Sequence, residues 1–143
     1  MNRLENVNKI IIHCSASDHP NDDSLQAITD LHMGNKSSII TWAKRMINGR
    51  GFEAVGYHYI ITKDGKNFKG RGLEFQGAHC YGQNEHSIGI CLTGLENFTL
   101  AQYRTLLNLI DTLKHRYNLE NGDVYGHYHF SKKSCPNFIV NLN

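Results

Sequence analysis

Two short apolar runs, KIIIHC at residues 9–14 and SIGICLT at residues 87–93, set the tightest limit on what this chain can fold into. Both are rich in β-branched residues, and each reads as a buried strand. Strands of that kind belong inside a sheet that other elements cover on both faces. The segment VGYHYIITK at 55–63 predicts a further strand. Asp64-Gly65 after it is a hairpin signal that returns the chain through 67–70. DVYGH at 123–127 predicts a last short strand.

Helices are predicted between these runs. Residues 24–33 place Leu25, Ile28, Leu31 and His32 at helical spacing behind a capping Ser24. Residues 41–48 suggest a second short helix, closed by Gly49 and Gly51. The clearest helix is 99–117, where Thr99 and Gln102 form a capping box and Leu100, Tyr103, Leu107, Ile110, Leu113 and Tyr117 line one face. Strands mixed with helices in this order predict an α/β fold: a central mixed β-sheet flanked by helices, in one domain spanning 1–143.

Composition narrows the partners. A chain of 143 residues suits a single core. A net charge of +2, with basic residues scattered, excludes nucleic acid or an anionic membrane as the main partner. Only three aliphatic residues, Ile10 to Ile12, stand together near the start, too few for a signal peptide or a membrane span. A soluble cytoplasmic product acting as a monomer is therefore expected. The four cysteines form no C-x-x-C pair, so no disulfide framework is expected. Cys14 and Cys91 read as small buried hydrophobes.

Nine histidines are the remaining oddity. His13 by itself, on an apolar strand, is more often a satisfied core residue than a ligand. Strand alternation points His13 and Cys14 apart, so only one of them can face a given site. Gly126-His127-Tyr128-His129 ends a strand, and Cys135-Pro136 follows across a short loop. Nitrogen and sulfur donors from a strand end and its loop suit zinc, and three protein ligands leave a fourth position for water, the catalytic arrangement. His127 and His129 share a strand face, so spacing does not choose between them.

Five ordered blocks carry a resemblance over most of the chain, from His13 to Phe138: HCSAS at 13–17, GYHYII at 56–61, GAHC at 77–80, NEHSIGICLTG at 84–94, and H-x7-CP from His127 to Pro136. In this order they resemble the type 2 N-acetylmuramoyl-L-alanine amidases, especially the short bacteriophage amidases often called lysozymes. The resemblance implies Zn2+ as cofactor, held by His13, His127 and Cys135 in a cleft at one edge of the sheet. It implies catalytic roles for Tyr57 and Lys133 and a substrate-binding role for His79. The substrate implied is the amide joining N-acetylmuramic acid to L-alanine in peptidoglycan or its muropeptide fragments.

Blander readings stand beside these. Lys133 can be a solvated loop lysine like Lys132, and Tyr57 a core aromatic sharing a face with Tyr59. His58, His86 and His129 read as structural or surface residues, and Gly89 as a point of close approach within the sheet. The stretch 34–55 departs from the short family members and suggests an added helix near one wall of the cleft. A leaderless chain fits a phage lysin or an enzyme that recycles anhydro-muropeptides. Non-catalytic peptidoglycan-binding relatives typically lack the ligand at Cys135, which this chain keeps. Some phage relatives also inhibit the phage RNA polymerase, but no residue here identifies such a surface.

Overall fold

The computed structural model describes residues 1–33 and 55–143. Its centre is a five-stranded sheet of β1 (Lys9–Cys14), β2 (Tyr59–Ile61), β3 (Asn67–Lys69), β4 (Ser87–Leu92) and β5 (Val124–Gly126). The strand order is β3-β2-β4-β1-β5. β2, β4, β1 and β5 are parallel neighbours, and β3 pairs with β2 antiparallel, so the sheet is mixed as expected. The two apolar runs lie side by side in the middle, with Ile12 opposite Ile90 and His13 opposite Cys91.

Alternation along the strands sorts side chains onto two faces. One face carries Ile10, Ile12, Ile61, Ile88, Ile90 and Leu92 beneath Leu106, Ile110 and Leu113 of α2 (Leu100–Tyr117). Each such side chain taken out of water contributes about 1.5–3 kcal/mol, so this face supplies most of the apolar burial. The other face carries a smaller cluster of Ile60 and Cys91 with Val55, Tyr57 and Ile28 of α1 (Leu25–Met33). Helices thus flank both faces.

The caps form as their sequences suggest. Ser24 Oγ accepts from the Ala27 amide at 3.0 Å at the start of α1. At α2, Thr99 Oγ1 accepts from the Gln102 amide at 3.1 Å while Gln102 Oε1 accepts from the Thr99 amide at 3.0 Å. The hairpin turn places Gly65 at φ +84°, a conformation that favours glycine. Among the described residues, no helix is long and apolar enough to cross a membrane.

Three elements differ from the sequence reading. The strand expected over 55–63 narrows to Tyr59–Ile61, because the backbone before it bonds elsewhere. The Gly56 amide donates to His32 Nδ1 at 2.8 Å, and the Tyr57 carbonyl accepts from the Arg71 amide at 2.8 Å. The buried face of α2 is Gln102, Leu106, Ile110 and Leu113, whereas Leu100 and Leu107 are 64% and 53% exposed. Gln102 turns inward because its amide donates to the Ile61 carbonyl at 3.1 Å and the Thr93 carbonyl at 2.8 Å. Those bonds satisfy carbonyls beside the strand ends and rotate the helix face. Residues His127–His129 form a short 3₁₀ turn and not the end of a strand. The helix predicted over 41–48 lies outside the described residues, as does all of the 34–55 stretch except Val55.

Candidate metal centre

β1 and β5 are parallel neighbours, so their C-terminal ends open at the same edge of the sheet. In sheets of this type, ligands gather beyond the carboxyl ends of the strands. His13 sits one residue before the end of β1, and His127 directly follows β5. The loop after His129 brings Cys135 back, held by the Tyr128 amide donating to the Cys135 carbonyl at 2.9 Å. The Cys14 amide donates to Cys135 Sγ at 3.2 Å and supports negative charge on the sulfur. One ligand atom each of His13, His127 and Cys135 then lies within 4.8 Å of the others.

This donor set fits zinc. Tetrahedral zinc holds nitrogen and sulfur at about 2.0–2.3 Å, which places ligand atoms roughly 3.3–3.8 Å apart, within reach of small side-chain rotations here. Two imidazoles and a thiolate are also a poor cage for hard cations that prefer oxygen. Geometry groups His127, and not His129, with the other two. Within the 3₁₀ turn the two histidines no longer share a face, and His129 Nδ1 folds back onto Gly126 at 3.2 Å.

A cavity of about 110 Å³ opens over this cluster, and all six expected site residues line it: His13, Tyr57, His79, His127, Lys133 and Cys135. Tyr57 is 7% exposed, with its ring centroid 5.1 Å from that of His13. It does not share a face with Tyr59, which packs into the cluster under α2. The chain before β2 is irregular, so the two-residue period fails there. Lys133 is exposed, unlike its deeper neighbours in the lining. Cys14 also lines the cavity, contrary to the strict alternation expected, because the cavity caps the end of β1 and is not confined to one face.

Among the residues not singled out for this site, His32 of α1 faces the same cavity, with its ring centroid 5.0 Å from that of Tyr57. Its place on the buried stripe of α1 was the only local signal. The small polar run after His13 forms another wall, tied down by bonds between the Ala16 amide and the Gly94 carbonyl at 2.9 Å and between the Gly94 amide and Ser15 Oγ at 2.9 Å.

Buried histidines surround the cluster. His79 is 7% exposed, and burial, with the like charge of His58 second, pushes its pKa down to about 3, so it is neutral. Expected as a substrate-binding residue, it lines the cavity with both ring nitrogens engaged inside the protein. Its Nδ1 meets His13 Nε2 at 2.9 Å, and its Nε2 meets Ser87 Oγ at 3.2 Å. The close approach foreseen at Gly89 is to this ring, since a Cβ there would lie 2.5 Å from His79 Cγ. With only protein groups acting, a hydrogen bond shared by the two thiols lowers Cys14 to about 7 and raises Cys135. A cation held by His13, His127 and Cys135 reverses that order, because it stabilises the thiolate it touches.

A five-stranded mixed sheet with an N,N,S cluster beyond its strand ends belongs to a recognisable class. The sequence profile of the N-acetylmuramoyl-L-alanine amidase family matches residues 3–138, and the chain belongs to that family. It is 32% identical over 142 residues to the endolysin of Escherichia phage T7, covering 94% of this chain and 83% of the phage protein. It is 30% identical over 113 residues to peptidoglycan-recognition protein SC2 of Drosophila simulans, covering 73% of this chain and 61% of that protein. Among solved structures, the endolysin N-acetylmuramoyl-L-alanine amidase LysCS from Clostridium intestinale URNW matches with a TM-score of 0.68 at 27% identity, over 92% of this chain and 75% of that one. PGRP-SA of Apis mellifera shares the fold, with a TM-score of 0.71 at 24% identity over 95% of this chain and 80% of that one.

Proposed function

We propose that this chain is a zinc-dependent N-acetylmuramoyl-L-alanine amidase of the endolysin kind. It hydrolyses the amide between the lactyl group of N-acetylmuramic acid and L-alanine in peptidoglycan, reaching the wall once the membrane is opened. The observation that carries this reading is the convergence of His13, His127 and Cys135, with ligand atoms within 4.8 Å of one another, in a cavity that Tyr57 and Lys133 also line. These three residues would hold the ion, and bound zinc supplies Lewis acidity and a water acidified to a pKa of about 7.

The protein's own groups complete the chemistry. Lys133 is exposed and lines the cavity, which suits its ammonium to the negative charge that builds on the scissile carbonyl oxygen. The Tyr57 hydroxyl is suited to orienting the substrate and passing a proton to the leaving amine, since a phenol O–H is a hydrogen-bond donor whose neutral form is a weak base. Ile28 and Leu31 of α1 give one side of the cavity an apolar lining, with Ile28 buried and Leu31 partly open to solvent.

The purified protein should carry one equivalent of zinc and release free amino termini from peptidoglycan, and a chelator should abolish that release. Binding of peptidoglycan without release would leave a recognition protein and sink the amidase reading. Faster cleavage of soluble anhydro-muropeptides than of intact sacculi would replace the endolysin role with a recycling one. Tyr57→Phe with full activity would remove Tyr57 from the chemistry.

A further inference from the structure

We propose that His79 and Ser87 act as a positioning relay that fixes His13 as its Nε2–H tautomer and turns its Nδ1 lone pair toward the metal. The inference rests on the reading that His13 is a metal ligand. It makes His79 a positioning residue rather than one that grips substrate.

The assignment follows from counting protons along a buried chain. Ser87 Oγ carries one proton, and the Gln83 carbonyl, 2.6 Å away, can only accept, so the proton points there. Ser87 Oγ is then an acceptor toward His79 Nε2 at 3.2 Å, which places the His79 proton on Nε2. A neutral imidazole protonated at Nε2 offers its lone pair at Nδ1. That lone pair faces His13 Nε2 at 2.9 Å, so His13 Nε2 donates. A His13 able to bind a metal is neutral, and its remaining lone pair is on Nδ1.

The cage around His79 is built to hold this order. His13 and Ser87 are 1% and 0% exposed, so water does not compete for these bonds. The backbone amides of His79 and Cys80 both donate to Asn84 Oδ1, at 2.9 and 3.0 Å, fixing the loop that carries the ring. Gly77 and Gly89 leave the space the ring fills, since a Cβ at either would lie 2.5 Å from it. The His79 and His13 ring centroids lie 5.0 Å apart with the planes at 89°, a separation that goes with the 2.9 Å contact between a ring nitrogen of each. Among the described residues the hydrogen-bond partners of His79 are His13, Ser87 and Asn84, none of them a carboxylate that would favour a charged ring.

Nitrogen-15 NMR of the metal-free protein reads the His13 and His79 tautomers directly, and competition with a chromophoric chelator reads zinc affinity. The wild type should show His13 and His79 both protonated at Nε2. Ser87→Ala should let His79 populate its other tautomer and weaken zinc binding about tenfold, and His79→Phe should weaken it roughly ten- to a hundredfold. Circular dichroism establishes that each variant folds, and if neither does, the wild-type tautomers alone decide. A wild-type His13 protonated at Nδ1 would overturn the relay, as would a folded Ser87→Ala protein with unchanged tautomers and unchanged zinc affinity. Wild-type protein with the expected tautomers but no zinc uptake would overturn the metal reading instead.

Discussion

The face of the sheet under α2 and the face under α1 are made from the same strands but have opposite chemistry. Along β1, Ile10 and Ile12 point to the α2 side while Ile11 and His13 point to the other. Along β4, Ile88, Ile90 and Leu92 face α2, whereas Gly89 vacates space for His79 and Cys91 joins the smaller cluster. The α2 face is apolar, largely aliphatic with Tyr59 among its buried side chains. Among the described residues the α1 face buries four imidazoles, those of His13, His32, His58 and His79. Burial holds His58 and His79 below the ordinary histidine pKa, a desolvation cost that the aliphatic face offsets. One face stabilises the scaffold so that the other can carry groups that weaken it.

The sharpest way to break that division is Cys135→Ser. It should abolish zinc retention and lower amide cleavage on the order of a thousandfold or more, while the urea midpoint of the metal-free protein stays near that of metal-free wild type. Loss of the fold in that variant would show that the site also holds the scaffold together. On the other face, Ile90→Ala should lower unfolding free energy by about 2–5 kcal/mol. Zinc affinity of its folded fraction should remain within about twofold, as for independent sites; a larger change would couple the faces.

Gln102→Ala is a smaller test. It strips the Gln102 donor from the Thr93 carbonyl and from the Ile61 carbonyl, which keeps the Thr93 amide, and should cost about 1–3 kcal/mol in denaturant unfolding. Unchanged stability would mean that packing by Leu106 and its neighbours alone orients α2. The smallest effect concerns Asp18, which ties the loop after β1 to residues 95–97. Its carboxylate accepts from the Leu95 and Glu96 amides at 2.9 and 3.1 Å and from Lys63 Nζ at 2.9 Å, and the Leu95 bond first of all holds its pKa well below the ordinary range. The unfolded carboxyl titrates near 3.9, so the stabilisation is fully present above about pH 4 and fades as pH falls further. The melting temperature of wild type should therefore exceed that of Asp18→Asn at pH 7, with the gap narrowing toward pH 2. A gap that does not change with pH would assign the effect to shape and not to charge.

Much of the scaffold was legible because it obeys short periods. The runs at 9–14 and 87–93 became the two central strands, and the capping box placed the start of α2. Legibility ended where a side chain answered to a distant backbone. Apolar spacing chose Leu107 for the buried face of α2, but two carbonyls from other elements drew Gln102 inward and put Leu106 there instead. Tyr57 and Tyr59 looked like partners on one face until the irregular chain before β2 separated them.

The site divides in the same way. Residue types and order in the sequence, together with the family resemblance, assembled His13, Tyr57, His79, His127, Lys133 and Cys135, and the structure brings all six to one cavity. By itself the sequence determined the buried strands, the hairpin, the capped helix and the supply of nitrogen and sulfur donors. Those depend on neighbours in the chain and on propensities that act over a few residues. Only the tertiary structure decided that His127 and not His129 turns inward, and that His79 spends both ring nitrogens on Ser87 and His13. Such choices are set by single hydrogen bonds between atoms far apart in the chain, 66 positions for His13 and His79, and no local pattern records them.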